Sequence, residues 1–498
     1  MLIGGLDIGT TGCKITVYTD KGEFVKSSYK EYTVRRSGGE HEINAEDIKA
    51  AVFEVLSECG KISALGVTSF GEAFVMTDSG GNVLLPSMLY TDPRGAAELE
   101  ELKEKLGAER ITEICAADGH IMYSMPKIMW VKNNLPEIYK NVRHIMLMED
   151  YIVSVLCGKY FIDYSLAART MAFDVRNKCW SEEIFSAAGV DMSLMSVPVK
   201  SGSIAGRIFS EIADRLNVRD DIIIINGCHD QVATAIGAGI TEIGMAVDGT
   251  GTVECVTPVF DEIPENAQLY REGYSVVPYV LDDKYVCYAL SFTGGAVLKW
   301  YRDCFAKYEK EKAGDDVYKL LDSAVPDAPT DILVLPHFAG AANPYMDTLS
   351  SAAMVGITLE TTAPQIYKAL MEGVTYEIKT NIEHLKGFGI NPKSLFATGG
   401  GASSPVWLQI KADILGMPIT ALKSREVGAC GTCMLAAVSL GVYNSLTDAA
   451  RAFVKCGKTY YPRENYKRAY EKKFGAYKKL YDSVRDIARE AKGGFESE

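Results

Sequence analysis

The strongest constraint on the fold is a pattern that occurs twice, half a chain apart. Near the N-terminus, residues 5–12 read as a short apolar run, an aspartate and a turn of glycine and threonine, followed by a strand-like run at 14–18. Residues 246–253 repeat this order just before the midpoint of the sequence. Turns without bulky side chains between strand-like runs indicate β-hairpins. Their repetition predicts a duplicated α/β domain.

Length and charge narrow the class of protein. A chain of 498 residues is too long for one ordinary core, so we expect two large domains, 1–242 and 243–498, with a junction near 239–242. The sequence shows no signal peptide and no apolar run long enough to cross a bilayer, which favours a cytoplasmic protein. A net charge of -13 disfavours nucleic acid and anionic membranes as partners.

Periodicity and turn residues give a coarse secondary structure. Helices are predicted near 45–59, 94–107, 126–134, 146–157, 229–239, 294–307 and 363–387, and strands near 221–225, 274–279, 285–291, 331–335 and 395–398. A charged amphipathic helix is predicted at 463–492. The 12 cysteines lack framework spacing, and the single C-x-x-C pair, Cys430 and Cys433, lies in a small-residue stretch typical of a buried helix. We therefore expect mostly reduced core cysteines.

The first turn carries groups that suit a nucleotide. Its glycines let backbone N–H groups approach phosphate oxygens. The side chains that would assist are Asp7, for a magnesium-bound water, the hydroxyls of Thr10 and Thr11, and the ammonium group of Lys14. The second turn, with Gly249, Thr250 and Gly251, would hold the other side of the same phosphate chain. Each turn alone is equally typical of a plain hairpin, but the pair favours a nucleotide site.

Two further junctions carry possible chemistry. The apolar run 221–225 leads to Asp230 at the start of a small-residue helix. A carboxylate there can accept a proton from a substrate hydroxyl or simply cap the helix, and the residues alone leave both open. His229 can tune this site or be structural. The three glycines at 399–401 precede a helix and allow close approach by a base and ribose, or form a tight turn.

Three segments together carry a family resemblance. Residues 122–134 match one signature at every restricted position, residues 352–372 match a second except at Leu370, and residues 399–413 are close to an adenosine-binding segment. On these segments the chain resembles the FGGY family of carbohydrate kinases, within the actin/hexokinase/heat-shock ATPase superfamily. The resemblance implies an α/β fold of two duplicated actin/hexokinase-like (ribonuclease H-like) domains that flank a central cleft.

The resemblance also implies roles for individual residues. Asp230 lies where the family has its catalytic base, and Asp7 where it has a magnesium-associated aspartate. The implied nucleotide-binding residues are Asp7, Thr10, Thr11, Lys14, Gly249, Thr250, Gly251, Gly400, Gly401, Ala402 and Ser403. The implied substrate-binding residues are Glu72, Tyr90, Asp92, Arg94 and Gln231.

The activity implied is the transfer of phosphate from ATP, with Mg²⁺, to a hydroxyl of a small sugar, with a ketopentose such as xylulose first. Alternatives are a glycerol- or erythritol-type polyol kinase, a ribulose or fuculose kinase, or a non-catalytic actin-like ATP-binding protein. Gly71 and Glu72 stand where family members that act on xylulose usually have Met-His and those that act on glycerol have Arg-Glu. The implied partners are therefore ATP and a small sugar or polyol, and a homodimer is a further expectation.

Overall fold

Each of the two repeated hairpins forms the centre of a β-sheet in the computed structural model, which describes residues 1–424 and 426–493. In the first sheet, Leu2–Ile8 pairs antiparallel with Gly12–Thr19 and parallel with Ala64–Ser69. The strand order across this sheet is Ile204–Arg207, Ile223–His229, Ala64–Ser69, Leu2–Ile8, Gly12–Thr19, Phe24–Glu31.

The second sheet repeats this arrangement. Met245–Thr250 pairs antiparallel with Glu254–Phe260 and parallel with Ser394–Thr398. The strand order is Val276–Pro278, Tyr285–Cys287, Glu254–Phe260, Met245–Thr250, Ser394–Thr398, Ile419–Leu422, Cys456–Tyr460, and Ala289–Ser291 also pairs with Glu254–Phe260. The shared topology around both hairpins confirms the predicted duplicated α/β fold.

Helices surround both sheets. Those before the second hairpin are Ala45–Ser57, Ala96–Leu106, Ala108–Cys115, Ser124–Asn134, Pro136–Tyr139, Met148–Cys157, Tyr164–Ala168, Glu182–Ala188, Ser210–Leu216 and Asp230–Gly237. Those after it are Ala267–Arg271, Ala296–Phe305, Lys307–Ala313, Val317–Ser323, Ala363–Gly387, Pro405–Leu415, Val427–Ser439, Leu446–Phe453, Glu464–Tyr477 and Leu480–Gly493. In the described part of the chain, no helix combines the length and apolar character needed to cross a membrane.

The predicted helix at 463–492 is interrupted, because the structure has Glu464–Tyr477 and Leu480–Gly493 with a break at 478–479. Tyr477 and Leu480, on either side of the break, are both buried in the same core cluster. The apolar period therefore continues through the break, which is why the sequence pattern does not reveal it.

The two halves meet where the helix Asp230–Gly237 crosses the helix Val427–Ser439. A Cβ atom added to Gly237 would lie 1.8 Å from the carbonyl oxygen of Val427, and one added to Gly431 would lie 2.0 Å from that of Ala233. Only glycine permits such backbone contact. One hydrophobic cluster contains buried residues of this helix pair and of both sheets, so the crossing lies between the sheets. It places the start of the first helix at the boundary of the halves.

The helix Val427–Ser439 also contains the C-x-x-C pair. Cys430 and Cys433 are buried and carry free thiols, as predicted. The Cys433 thiol lies 3.6 Å from the carbonyl oxygen of Ile3 in the first sheet. These cysteines therefore belong to the packing between the helix and the sheet.

Candidate active site

Asp230 opens a helix directly after an irregular strand end. The pairing of Ile223–His229 with Ala64–Ser69 shifts register between Asn226 and His229. Gly227 lies in this irregular segment, where an added Cβ would come within 2.0 Å of the Val67 carbonyl oxygen. The Asp230 side chain is 32% exposed, yet its Oδ1 is buried and has no hydrogen-bond partner among the described residues. One carboxylate oxygen, Oδ1, is thus enclosed by the protein, and the rest of the side chain is partly accessible to solvent.

The surroundings of Asp230 set its proton affinity. The pKa of Asp230 is raised to about 7, chiefly by burial and also by the carboxylates of Asp7 and Glu72, whereas Arg169 acts to lower it. A pKa near the working pH suits a general base, because such a group is available as carboxylate and still binds a proton well. The position of Asp230 is therefore compatible with proton acceptance.

A buried ion pair stands beside Asp230. Arg169 donates from Nε to Oε1 of Glu72 at 2.6 Å and from Nη1 to the hydroxyl of Ser275 at 2.8 Å. Its guanidinium also lies 5.0 Å from the ring centre of Tyr123 and 5.4 Å from that of Tyr288. Glu72 has a φ of 66°, a left-handed conformation that is uncommon for a non-glycine residue and concentrated at functional sites. Arg169 thus joins Glu72 of the first half to two residues of the second.

His229 connects Asp230 to the second half. Its Nδ1 lies 2.9 Å from the hydroxyl oxygen of Tyr288, and its Nε2 lies 3.3 Å from Asp230 Oδ1. Burial holds the pKa of His229 well below its usual value, and the positive charge of Arg169 lowers it further. The imidazole is therefore neutral at physiological pH.

The first Gly/Thr loop is closed by its own backbone, with the Gly9 N–H donating to the Gly12 carbonyl at 3.0 Å. Thr10 is partly exposed and Thr11 is exposed. Burial raises the pKa of Asp7 to about 6, and Lys14 opposes this effect. Lys14 Nζ donates to Glu426 Oε2 at 2.8 Å, so its charge is shared with a carboxylate of the other half.

The second loop rests on a buried lysine. Lys411 Nζ donates to Asp248 Oδ2 at 2.6 Å and to Thr250 Oγ1 at 2.7 Å. Glu254 Oε1 lies 2.9 Å from the same nitrogen, and all three charged side chains are at most 1% exposed. Burial raises the pKa of Glu254, although Lys411 opposes the shift, and Asp248 competes for the single ammonium group. This triad was not predicted from the sequence, although a lysine amid apolar residues in 405–415 is a detectable signal.

Gly400 and Gly401, from the run of three glycines, border a cavity of about 770 Å³. Gly251, Gly400, Gly401 and Ser403 line it, whereas Ala402 packs against the hydrophobic core. A Cβ on Gly401 would lie 2.6 Å from Thr250 Cγ2, so glycine keeps this wall close to the second loop. The cavity therefore adjoins the loop that the sequence assigns to phosphate binding.

Sequence profiles of both domains of one family match the chain. The N-terminal domain of the FGGY family of carbohydrate kinases matches residues 2–237, and the C-terminal domain matches residues 251–440. The chain belongs to the FGGY family of carbohydrate kinases. It is an enzyme of the phosphotransferase class, and ATP is the phosphoryl donor of sugar kinases in this family.

Individual relatives of this FGGY kinase are similar over nearly the whole length. A xylulose kinase of Staphylococcus xylosus is 27% identical, covering 96% of this chain and 99% of the relative. A gluconokinase of Bacillus subtilis (strain 168) is 28% identical, covering 92% and 90%. The crystal structure of a ligand-bound xylulose kinase from Lactobacillus acidophilus superposes with a TM-score of 0.87 at 23% identity, covering 97% of this chain and 98% of that one. The superposition confirms the predicted fold.

The predicted substrate-binding residues of the FGGY kinase fall into different surroundings. Asp92 is fully buried and accepts hydrogen bonds from Arg94 Nε at 2.9 Å, from Arg94 Nη2 at 2.7 Å and from the backbone N–H of His41 at 2.8 Å. Tyr90 is 47% exposed and lines a separate recess of about 330 Å³ together with Thr10 and Thr11. The structure thus brings Glu72 and Asp7 near Asp230, while Asp92 and Arg94 bind each other.

Gln231 follows Asp230 in the first turn of the helix and is partly exposed. Arg169 and Tyr288, which were not predicted from the sequence, belong to the group of charged and aromatic side chains around Asp230. Neither residue stands in a glycine-rich or otherwise distinctive motif. Only the folded contact between the halves reveals them.

Proposed function

We propose that this FGGY kinase transfers the γ-phosphoryl group of ATP to a hydroxyl of a small neutral sugar or polyol, with a ketopentose such as xylulose as first candidate. The observation that carries the proposal is Asp230, whose carboxylate is half enclosed at the boundary between the halves and has its pKa raised to about 7. The xylulose kinases among its full-length relatives support the choice of sugar.

In the proposed reaction, the substrate hydroxyl oxygen bonds to the γ-phosphorus while the bond from that phosphorus to the bridging oxygen of ADP breaks. Asp230 accepts the hydroxyl proton as the new bond forms. Backbone N–H groups of both Gly/Thr loops would bind the phosphates, and Gly400, Gly401 and Ser403 would face the adenosine. Catalysis of this kind is mostly positioning and charge stabilisation.

Asp7 is the residue proposed to hold Mg²⁺, through a bound water. Mg²⁺ keeps several waters and is commonly bound by one or two carboxylates plus substrate phosphates. Among the residues that the structure describes, no cluster of three or more acidic, histidine or cysteine ligands occurs. Asp7 fits because it is a partly buried carboxylate and the cation that opposes its raised pKa, Lys14, is already paired with Glu426. When bound, the ion would neutralise phosphate charge.

The charges beside Asp230 favour a neutral substrate over a sugar acid. Arg169 is already paired with Glu72, and that pair adds no net charge. A sugar carboxylate would then meet the negative charges of Asp7 and Asp230 without a free partner in Arg169. Glu72 and Gln231 are therefore proposed to bind sugar hydroxyls, and the Asp92–Arg94 pair is proposed to hold the substrate segment in shape.

The test is a coupled-ADP assay with xylulose, ribulose, fuculose, glycerol, erythritol and gluconate. We expect the highest kcat/KM with a ketopentose and no preference for gluconate. Asp230→Asn should lower kcat by about 10²–10⁴-fold, the usual contribution of a general base, while ATP binding persists. The matched control is Asp220→Asn at an exposed aspartate of the same half. Near-normal turnover of Asp230→Asn, or ATP hydrolysis that no sugar stimulates, would overturn the proposal.

A further inference from the structure

Tyr288, His229 and Asp230, the proposed base, form a line of three side chains in contact across the two halves. Tyr288 comes from the second half, and its hydroxyl lies 2.9 Å from His229 Nδ1. His229 Nε2 lies 3.3 Å from Asp230 Oδ1. Tyr288 and His229 are 9% and 6% exposed, so water does not compete strongly for these contacts.

The protonation states along this line follow from burial. Burial raises the pKa of the Tyr288 hydroxyl well above its usual value, so the group stays protonated and can donate. His229 is neutral and carries one ring proton. If Tyr288 donates to Nδ1, that ring proton is on Nε2, the nitrogen that faces Asp230. The other tautomer would direct a nitrogen lone pair at a carboxylate oxygen, which is repulsive, so the first arrangement is favoured.

Asp230 Oδ1 needs such a donor. This oxygen is buried and has no hydrogen-bond partner among the described residues. A buried polar atom without a partner is costly, and native structures seldom leave one unsatisfied. The His229 Nε2 contact at 3.3 Å is within reach of a hydrogen bond but not aligned for one. Catalytic hydrogen bonds are often long in unliganded structures and shorten in the substrate complex.

We propose that His229 and Tyr288 are positioning residues for the Asp230 carboxylate. His229 Nε2–H binds Oδ1, Tyr288 fixes the tautomer and ring orientation of His229, and the second carboxylate oxygen is left to receive the substrate proton. This inference rests on the proposed role of Asp230 as base. Because Tyr288 belongs to the second half, the base is fully held only while the two halves are in contact.

Other charged groups near Asp230 do not replace this contact. Asp7 and Glu72 repel its negative charge, and Arg169, which attracts it, is bonded to Glu72 and Ser275. Arg169 also lies over the ring of Tyr288. A Tyr288→Phe substitution keeps that ring and removes the hydroxyl alone, which isolates the proposed contact.

We expect Tyr288→Phe to lower kcat about tenfold, the usual size of one well-placed hydrogen bond, with KM for sugar and for ATP within twofold of the parent. Loss of the oriented N–H donor destabilises the Asp230 carboxylate and raises its pKa. The acidic limb of the kcat/KM profile should therefore move to higher pH. His229→Gln, which retains an N–H donor, should keep more activity than His229→Leu.

The control is Tyr270→Phe, which removes another buried hydroxyl in the second half, one that donates to the Pro264 carbonyl. Unchanged kcat and pH profile in Tyr288→Phe would overturn the inference. It would also be overturned if Tyr288→Phe and Tyr270→Phe lost activity and thermal stability in parallel. The Asp230→Asn result shows which of the two proposals fails. If Asp230→Asn is nearly active, Asp230 is not the base and both proposals fail. If Asp230→Asn is inactive but Tyr288→Phe is normal, only the proposed positioning role of His229 and Tyr288 fails.

Discussion

The two Gly/Thr loops occupy equivalent places in their sheets but differ in what neutralises their aspartates. Asp7 lies opposite Lys14 in the first hairpin, and that lysine is shared with Glu426 at the partly exposed boundary between the halves. Asp248, its counterpart, is bound by the fully buried Lys411. The first aspartate therefore lacks a dedicated cation, and the second has one built into the fold.

We propose from this difference that the two repeated hairpins have different roles. A carboxylate whose pKa is raised by burial, as in Asp7, is stabilised by a cation from solvent such as Mg²⁺. A carboxylate that already binds a buried lysine, as in Asp248, serves as scaffold for its loop. On this proposal, the same sequence pattern serves phosphoryl transfer in the first half and structural support in the second.

The largest effect is expected from exchanging each aspartate for asparagine. Asp7→Asn should reduce phosphoryl transfer on the order of 10²–10³-fold, because a metal contact supplies several kcal/mol of charge stabilisation. Its thermal midpoint should not fall, since the change removes a partly buried charge that is incompletely compensated. Asp248→Asn should instead lower the midpoint, because Lys411 loses its 2.6 Å partner. Coupled-ADP kinetics and thermal unfolding of both variants decide this, and the reverse pattern would contradict the division of tasks.

The next contrast compares the two lysines. Lys411→Met should lower the free energy of unfolding by about 3–5 kcal/mol, because it leaves buried carboxylates without their cation. Lys14→Met is the matched control at a partly exposed pair and should cost less than about 1 kcal/mol. Urea unfolding monitored by circular dichroism measures both. Equal decreases in the free energy of unfolding would show that Lys411 does not stabilise the second loop more than Lys14 stabilises the first.

The smallest expected effect is a change in how the free energy of unfolding depends on pH, through Glu254. Burial raises the pKa of Glu254 to about 8, so between pH 4.5 and about 8 the unfolded chain releases this proton while the folded protein keeps it. Stability linked to Glu254 is therefore complete below pH 4.5 and is lost as pH rises towards 8. Glu254→Gln should remove this loss and flatten the dependence of unfolding free energy on pH. A profile parallel to that of the parent would contradict the shift.

Much of the fold could be predicted because its signals are local. The helix Ala363–Gly387 has the predicted bounds, and its start is marked by a proline in the first turn and by a capping box between Thr362 and Gln365. Asp230 was identifiable because a strand, an aspartate and a small-residue helix follow one another in sequence. Features of this kind need no knowledge of the tertiary structure.

The rest of the site depends on long-range packing. Arg169 and Tyr288 are 119 positions apart and come together only because the halves pack against each other. Asp92 matched the family pattern, but its oxygens are taken by Arg94 and by a backbone N–H from residue 41. A sequence motif identifies the residue type, but only the folded structure shows whether the donors and acceptors of that side chain are already used within the protein.

The glycine crossing between the helices Asp230–Gly237 and Val427–Ser439 has a mechanical consequence. Backbone touches backbone at Gly237 and Gly431, so the crossing is a point of very close approach between the two helices and a natural pivot for a small rotation of one half against the other. Asp230 lies seven residues from Gly237, about 10 Å along the helix. A rotation of about 5° about the crossing would therefore move Asp230 by only about 1 Å. Groups farther from the crossing travel in proportion to their distance. Asp230 and His229 thus lie close to the pivot of such a rotation, where their alignment is disturbed least.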